Sequence, residues 1–141
     1  MECIIATKQS HFYDQILIRK EVFIIEQMVP INEEYDELDK YATQFIVYDG
    51  EQAVGAARFR VIDNKGKVER VCVLKDYRTK GVGRLLMETI ESHAKSLGEV
   101  KKMMLSAQLT ALPFYEKLGY SAYGDIYLDA NIKHRSMEKV F

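Results

Sequence analysis

The sequence predicts an α+β domain in which helices cover both faces of a mostly antiparallel, mixed sheet of six or seven strands. Three observations lead to this prediction. Hydrophobic residues make up 48% of the 141-residue chain, enough for a core of its own. Three strand-like segments follow one another with turn-forming residues between them, which is typical of an antiparallel meander. Helical spacing of apolar residues appears both before and after this meander.

The first third of the chain predicts one strand and one long helix. The apolar run at residues 3–6 suits a strand, and residues 11–27 predict a helix because apolar positions such as Phe12 and Phe23 leave a polar side. Residues 31–39 are acidic and break this periodicity. They therefore predict an exposed loop or a frayed helical turn.

The remainder of the chain predicts the meander, two further helices and the closing strands. Asp49-Gly50 and the polar stretch 63–66 supply the turns of the meander, and Gly98 and Gly119 end the two helices. The predicted strands are residues 44–48, 53–61, 67–74, 102–107, 120–123 and 136–140, and the predicted helices are residues 84–97 and 112–118. No repeat and no linker-like stretch divides the chain, so residues 1–141 are interpreted as one domain.

Charge and cysteine content exclude several classes of protein. Twenty Lys and Arg against 21 Asp and Glu give a formal net charge of -1, so neither nucleic acid nor a membrane is an expected partner. Cys3 and Cys72 stand at no motif spacing, which favours a reducing, cytoplasmic location. The three histidines, His11, His93 and His134, are far apart in the sequence, and no metal site is expected.

The most informative stretch is a glycine-bearing loop between a predicted strand and a predicted helix. It reads Arg78-Thr79-Lys80-Gly81-Val82-Gly83-Arg84. Its glycines let the backbone approach a ligand, and the first turn of the helix offers free N–H groups and the positive end of the helix dipole, which together favour phosphate. A Walker loop and a dinucleotide fingerprint do not fit, because Arg84-Leu85 follows Gly83 and Leu86 stands where the fingerprint needs glycine or alanine. The alternative is an ordinary strand-to-helix turn.

A second motif, Phe114-Tyr115-Glu116-Lys117-Leu118-Gly119-Tyr120, follows after one further predicted strand. Together the two segments resemble the GCN5-related N-acetyltransferase (GNAT) family, whose cofactor loop has the pattern Arg/Gln-x-x-Gly-x-Gly/Ala. Arg78, Gly81 and Gly83 match every fixed position of that pattern. The likeness to small bacterial ElaA-like acetyltransferases extends to Arg19-x-x-Val22-Phe23-x-x-Glu26-Gln27, the acidic residues 36–39, Ala107-Gln108 and Tyr127-Leu128.

The resemblance implies the GNAT fold and a site for acetyl-CoA. In the family, backbone groups of the central strand, here residues 71–73, hold the pantetheine arm, and the N–H of Val73 would hold the oxyanion. The pyrophosphate lies on the loop at residues 78–84, whose cations neutralise its charge, and a tyrosine at the position of Tyr115 stands near the thioester sulfur. Many members carry Asn where this chain has Gln108. The implied cofactor-binding residues are Val71, Cys72, Val73, Arg78, Thr79, Lys80, Gly81, Val82, Gly83, Arg84, Gln108 and Tyr115.

Acetyl transfer to an amine needs a carboxylate or an ordered water that removes a proton. A free alkylamine has a pKa of about 10.4, so only about one molecule in a thousand is neutral at pH 7. Glu69 is the candidate base; it lies four residues before Val73, and the two side chains are expected on one face of the sheet. The resemblance supports this choice, because glucosamine-phosphate acetyltransferases of the same superfamily have Glu at the matching point. The alternative is a cross-strand ion pair of Glu69 with Arg58, Arg60 or Arg70.

Tyr115 is the candidate acid, because a phenol with a pKa of about 10 can protonate the departing thiolate. The alternative is a core tyrosine whose hydroxyl is satisfied by a hydrogen bond. Cys72 has no adjacent His or Lys and is interpreted as a small buried apolar side chain. Direct transfer to the amine, without an acyl-enzyme, is therefore expected.

The acceptor amine has three sets of candidate residues. Asp36 belongs to an acidic run that either attracts a cationic amine or forms a solvated loop. Glu26 and Gln27 end the first helix and either contact the acceptor or hydrate the last helical turn. Four tyrosines line an acceptor pocket or belong to the core and its rim: Tyr35, Tyr41, Tyr123 and Tyr127.

The leading hypothesis is an acetyl-CoA-dependent N-acetyltransferase that acts on an amine of a small molecule, a peptide or a protein. One alternative is a non-catalytic module that senses acyl-CoA. Another is an acyl-homoserine-lactone synthase, which shares the fold, although this chain is short for one. Many relatives dimerise through their C-terminal strands, and residues 136–141 offer an apolar edge for a homodimer.

Overall fold

A computed structural model describes residues 1–141, and its seven strands form a single mixed sheet in the order β1-β2-β3-β4-β5-β7-β6. Only β4 and β5 are parallel; every other neighbouring pair is antiparallel. The strands are β1 Glu2–Ile5, β2 Thr43–Asp49, β3 Gln52–Ile62, β4 Lys65–Val73, β5 Lys102–Gln108, β6 Ser121–Asp129 and β7 Ile132–Val140. The predicted α+β class and the antiparallel meander are confirmed.

Helices cover both faces of the sheet, as predicted. They are α1 Gln9–Arg19, α2 Ile31–Glu34, α3 Val82–Ser96 and α4 Leu112–Lys117, with short 3₁₀ turns at Glu37–Lys40, Lys75–Tyr77 and Leu109–Ala111. α1 runs directly into a π-helical segment, Lys20–Glu26, so the single long helix predicted here changes its hydrogen-bond pattern half-way. None of these helices has the length and apolar run needed to cross a bilayer.

Two apolar clusters, one on each face of the sheet, form the core. The larger packs α3 against residues such as Phe45 and Met103, and the smaller packs α1 and the π-helical segment against Ile46 and Cys72. Phe45 and Ile46 are adjacent in β2 and both fully buried, yet they belong to different clusters. This is the pattern of a strand covered on both faces. Each such side chain contributes about 1.5 to 3 kcal/mol by its burial.

The central strands β4 and β5 separate half-way along their length. Their ladder ends at the pair Val68 and Leu105. Just beyond that point β4 contains a β-bulge, because Ala57 of β3 lies opposite two residues, Arg70 and Val71, and Arg70 has a φ of 58°. A bulge bends the strand that carries it. A gap therefore opens between β4 and β5 on the side that leads to α3.

The bulge also corrects the expectation that Glu69 and Val73 share a face of the sheet. Glu69 lies opposite Arg58 and Cys72 lies opposite Ala56, so Glu69 and Cys72 point to the same face. Val73 is one residue further and points to the other face. The expectation is wrong because the extra residue at the bulge shifts the alternation by one position.

The closing hairpin is longer than predicted. β6 and β7 each have nine residues and meet at a two-residue turn, Ala130-Asn131, whose φ angles are 51° and 62°. This turn carries no Asn-Gly signal, and alanine rarely adopts positive φ, so the sequence gives little sign of it. The expectation that residues 136–141 form a free edge of the sheet is wrong, because β7 lies between β5 and β6. The edge strand at this end of the sheet is β6, and β1 is the edge strand at the other end.

Candidate active site

The glycine loop is held in one conformation by its neighbours. Gly81 precedes α3 with a φ of 82°, a conformation that glycine adopts without strain. A Cβ on Gly83 would lie 2.9 Å from Cζ of Phe114, so the backbone and this ring are in close contact. Val82 is buried against the sheet beside Gly55. The loop thus presents the free N–H groups at the start of a 15-residue helix toward the gap beyond β4.

Arg78 is the first residue of this loop, and its guanidinium has fixed partners. Nη1 and Nη2 donate to the carboxylate of Glu26 at 2.5 and 2.6 Å, and Nε donates to the carbonyl of Val73 at 3.0 Å. The hydrogen bond from Arg78 holds the pKa of Glu26 below its usual value. Glu26 does not line the main cleft, so its predicted contact with the acceptor is not supported. It pairs with Arg78 of the glycine loop.

A cleft of about 780 Å³ joins the glycine loop to the gap between β4 and β5. This is the size of a site for a cofactor or a large metabolite. Fourteen of the sequence candidates line it: Gln27, Glu69, Val71, Cys72, Val73, Arg78, Thr79, Gly81, Val82, Gly83, Arg84, Gln108, Tyr115 and Tyr127. Glu26, Asp36 and Lys80 do not, and the ammonium group of Lys80 lies 5.0 Å from the centre of the Tyr77 ring.

Glu69 is held by two guanidinium groups. Arg60 Nε donates to its Oε1 at 2.6 Å, and Arg58 Nε donates to the same oxygen at 3.2 Å. Burial raises the pKa of Glu69, but the hydrogen bonds and charges of Arg60 and Arg58 more than offset this and leave the pKa below its usual value. The cross-strand ion pair that the sequence analysis gives as the alternative role of Glu69 is therefore present. A carboxylate held in this way is ionised at neutral pH and is a poor proton acceptor.

Four arginines and four carboxylates form one network on the α1 side of β4. Its members are Arg19, Arg58, Arg60, Arg70, Glu34, Asp36, Asp39 and Glu69. Arg19 and Arg58 are only 1% exposed. Burial raises the pKa of Asp39, yet the hydrogen bonds and charges of these two arginines outweigh it and lower that pKa to about 2. The network fixes the acidic segment against the sheet.

The acidic segment forms two short helical turns that are largely exposed, as expected, but three of its carboxylates are held by arginines. Both carboxylate oxygens of Asp36 accept from Arg58, at 2.7 and 3.2 Å, and Asp36 lies outside the cleft. Glu34 is 3% exposed and paired with Arg19 at 2.6 Å. Glu33 alone of this segment lines the cleft with a carboxylate that forms no ion pair. The sequence pattern could not separate these roles, because the arginines that hold the segment lie on other elements.

Tyr115 is buried at the α4 side of the cleft. Its ring packs edge-on against Phe114 and Tyr120, and its hydroxyl makes no hydrogen bond within the chain and is not sealed from the cleft. Burial raises the pKa of Tyr115 above its usual value. The hydroxyl therefore carries its proton at neutral pH and is available to donate it.

Cys72 is a buried thiol, as interpreted from the sequence. Its Sγ–H lies 3.8 Å from the carbonyl of Ala56, and burial raises its pKa to about 12. A thiol in this state is not a nucleophile at neutral pH.

The side-chain amides of Gln27 and Gln108, predicted to bind the acceptor and the cofactor respectively, contact each other: Gln108 Nε2 donates to Gln27 Oε1 at 2.9 Å.

The sequence does not indicate several of the residues that line the cleft. It indicates Tyr127 for the acceptor pocket. It does not predict a place in the cleft for Ser106, whose hydroxyl contacts that of Tyr127, or for His134. The Tyr127 and His134 rings stack with centres 6.1 Å apart across the β6–β7 hairpin. No local motif marks these positions, and only the full length of that hairpin brings them to the cleft.

Comparisons with known proteins agree with this geometry. The family model described as the acetyltransferase (GNAT) domain matches residues 7–141. An uncharacterized N-acetyltransferase of Bacillus subtilis, YjcF, is 44% identical over 99% of both chains. Crystal structures of a putative N-acetyltransferase from Lactobacillus plantarum and of Escherichia coli ElaA superpose with TM-scores of 0.91 and 0.86. Their identities are 25% and 22%, and the matches cover 99% and 98% of this chain and 97% and 98% of theirs.

The fold and the cleft define a GNAT-type acetyltransferase. The chain belongs to the acetyltransferase (GNAT) family, and within it the chain is similar to the small bacterial proteins YjcF and ElaA. The resemblance found in the sequence is confirmed.

Proposed function

We propose that this chain transfers an acetyl group from acetyl-CoA directly to an amine of a small molecule or a peptide. The cleft that joins the glycine loop to the gap between β4 and β5 carries this proposal. Beyond Val68 β4 has no strand partner on its β5 side, so the peptide groups of residues 71–73 that point to this side, apart from the Val73 carbonyl bound by Arg78, can pair with the amides of a pantetheine arm.

The residues of the cleft fit acetyl-CoA in charge as well as in shape. The N–H groups at the start of α3 suit a pyrophosphate, and Arg78 and Arg84, which line the cleft, add positive charge beside them. Arg84 has only an exposed partner, Glu88, at 3.5 Å, so its guanidinium can turn to a ligand. Bound acetyl-CoA supplies an activated acyl group, and its sulfur leaves as the CoA thiol when it takes up a proton as the C–S bond breaks.

Three groups of the chain serve the transfer in this proposal. The hydroxyl of Tyr115 donates the proton that the leaving group needs, because burial keeps the phenol protonated. The N–H of Val73 stabilises negative charge on the acyl oxygen. Glu69, ionised between Arg58 and Arg60, attracts and orients the cationic amine, a part that requires no uptake of a proton.

We place this activity in the cytoplasm, a proposal that the free thiols of Cys3 and Cys72 support.

Isothermal titration calorimetry with acetyl-CoA tests the proposal first, with dephospho-CoA and ATP as controls. Gly81→Ala should weaken binding, because alanine is strained at a φ of 82° and the loop must change conformation. Gly50→Ala is the matched control, since Gly50 has a φ of 62°, similar open space and a place in a distant hairpin. Absence of heat with acetyl-CoA contradicts the proposal.

A second measurement separates an enzyme from a sensor of acyl-CoA. Release of free thiol is followed with spermidine, phenethylamine and a lysine-containing peptide as acceptors. Turnover with any of the three supports the transferase. Binding of acetyl-CoA without turnover across a wide amine panel supports a binding module instead.

A further inference from the structure

His134 of β7 lines the cleft with its protonation pattern fixed by the backbone. Its side chain is 9% exposed, and Nδ1 lies 2.6 Å from the carbonyl oxygen of Ile132. A carbonyl oxygen only accepts hydrogen bonds, so Nδ1 carries the hydrogen. In the neutral ring Nε2 then has a free lone pair.

This Nε2 atom is open to the cleft. It has no hydrogen-bond partner within the chain, and it is not sealed in the core. The ring is held on its flat side by Tyr127, whose hydroxyl in turn contacts Ser106 of β5. A ring anchored at Nδ1 and stacked on one face presents Nε2 in a constant direction.

His134 and Tyr115 stand on opposite sides of the gap between the central strands. In the β5–β7 ladder His134 lies opposite Gln108, so their side chains share a face, and Gln108 contacts Gln27 on the α1 side. Tyr115 belongs to the apolar cluster on the α3 side. The hydroxyl of Tyr115, which carries a proton, and Nε2 of His134, which can accept one, thus line the same cleft.

We propose that Nε2 of His134 is the proton acceptor for the amine substrate, an inference that rests on the proposed transferase function. An N–H bond of the ammonium breaks, its electron pair stays on the amine nitrogen as the nucleophilic lone pair, and the proton forms a bond to Nε2. The imidazolium then returns this proton to solvent, and the second proton that the nitrogen loses when the amide forms restores the hydroxyl of Tyr115. Glu69 remains ionised throughout, because Arg58 and Arg60 stabilise its carboxylate, and His134 alone accepts the proton.

Nuclear magnetic resonance of the intact, ¹⁵N-labelled chain tests the first step without any ligand. Long-range proton–nitrogen correlations, recorded at a pH where the ring is neutral, should show the hydrogen of His134 on Nδ1. A hydrogen on Nε2 overturns the inference.

Kinetics test the second step with two small acceptors. Ethylamine is protonated at pH 7 and needs a base, whereas hydroxylamine is neutral and does not. His134→Asn retains an N–H where Nδ1 stands and lacks Nε2, so it should reduce CoA release with ethylamine about 100-fold and with hydroxylamine less than about fivefold. Lys133→Ala is the control, because Lys133 lies next in β7 with an exposed side chain on the opposite face, and it should behave as the wild type.

The outcomes separate the two proposals. Equal losses with both amines, while acetyl-CoA still binds, show that His134 only supports the site and overturn the inference alone. Failure of the wild type to bind acetyl-CoA, or to release CoA with either amine, removes the proposed function and the inference together.

Discussion

Arg78 and Glu26 form a bidentate ion pair, with N···O distances of 2.5 and 2.6 Å, that connects the glycine loop to the end of the π-helical segment. The next residue, Gln27, contacts Gln108 at the end of β5. Two consecutive residues therefore connect this segment to both sides of the cleft. The same guanidinium is expected to face a pyrophosphate, so Glu26 and the cofactor compete for it.

Glu26→Gln should raise the affinity for acetyl-CoA, because it frees the Arg78 guanidinium. We expect a gain of about threefold to tenfold, equivalent to about 0.6 to 1.4 kcal/mol. The free energy of unfolding should change by less than about 1 kcal/mol, since the pair is more than one third exposed. Calorimetry measures the affinity, and Glu21→Gln, on the same segment but without an ion pair, serves as control. A fall in affinity would mean that the pair orders the loop for binding.

Tyr115→Phe should reduce turnover by about 100-fold while acetyl-CoA binding stays within about twofold of the wild type. The reason is that only the proton of the hydroxyl is removed and the ring packing is kept. Tyr120→Phe is a matched control: its hydroxyl is buried, has no hydrogen-bond partner and lies outside the cleft. Unchanged turnover and an unchanged pH profile in Tyr115→Phe would exclude this tyrosine as the acid.

Stability should fall in acid as Asp39 takes up a proton. Its pKa is lowered to about 2 in the folded chain, against about 3.9 when unfolded, so its contribution is complete above about pH 4 and is lost as the pH falls toward 2. Asp39→Asn leaves Arg19 and Arg58 with one partner fewer and should lower the free energy of unfolding by about 3 kcal/mol at pH 7. Urea unfolding at pH 7 and pH 3 measures both effects.

In the Asp39→Asn variant the difference in stability between pH 7 and pH 3 should be smaller than in the wild type. Asp125→Asn, at an exposed position of β6, should retain the wild-type difference. Equal pH dependence in all three proteins would show that other carboxylates govern unfolding in acid.

Cys72→Ala should keep turnover within about threefold of the wild type, because a thiol with a pKa of about 12 carries no acyl group at neutral pH. Its small cavity should cost about 1 kcal/mol of stability. Mass spectrometry of the wild type, quenched during turnover, should find no acetyl group on Cys72. An acetylated Cys72 peptide would replace direct transfer by an acyl-enzyme.

Local signals explain the parts of the fold that the sequence could predict. The β2–β4 meander follows from alternating apolar residues and from turns at Asp49-Gly50 and Asp63-Asn64, and the glycine loop follows from Gly81 and Gly83 between a strand and a helix. The positions of these residues depend on near neighbours in the chain, which a pattern can show. The same holds for Tyr115 within its motif.

Other features depend on contacts between distant residues, and no pattern shows them. The bulge at Arg70 involves contacts of its side chain with the backbone of Glu33 and Glu34, more than thirty positions away. Glu69 lines the cleft, and its ionised state comes from Arg58 and Arg60 in the neighbouring strand.

Because of the bulge, β4 contributes side chains to two separate surfaces, one on the α1 side of the sheet and one on the α3 side. Before the bulge the strand completes the sheet with β5; after it Cys72 faces α1, and Val71 and Val73 face the α3 side. Under the proposed function, substitutions on the α1 surface would alter which amine is accepted while the α3 surface keeps its shape. Such separation would let relatives diverge in acceptor choice, and would let an engineer redesign it, without rebuilding the cofactor site.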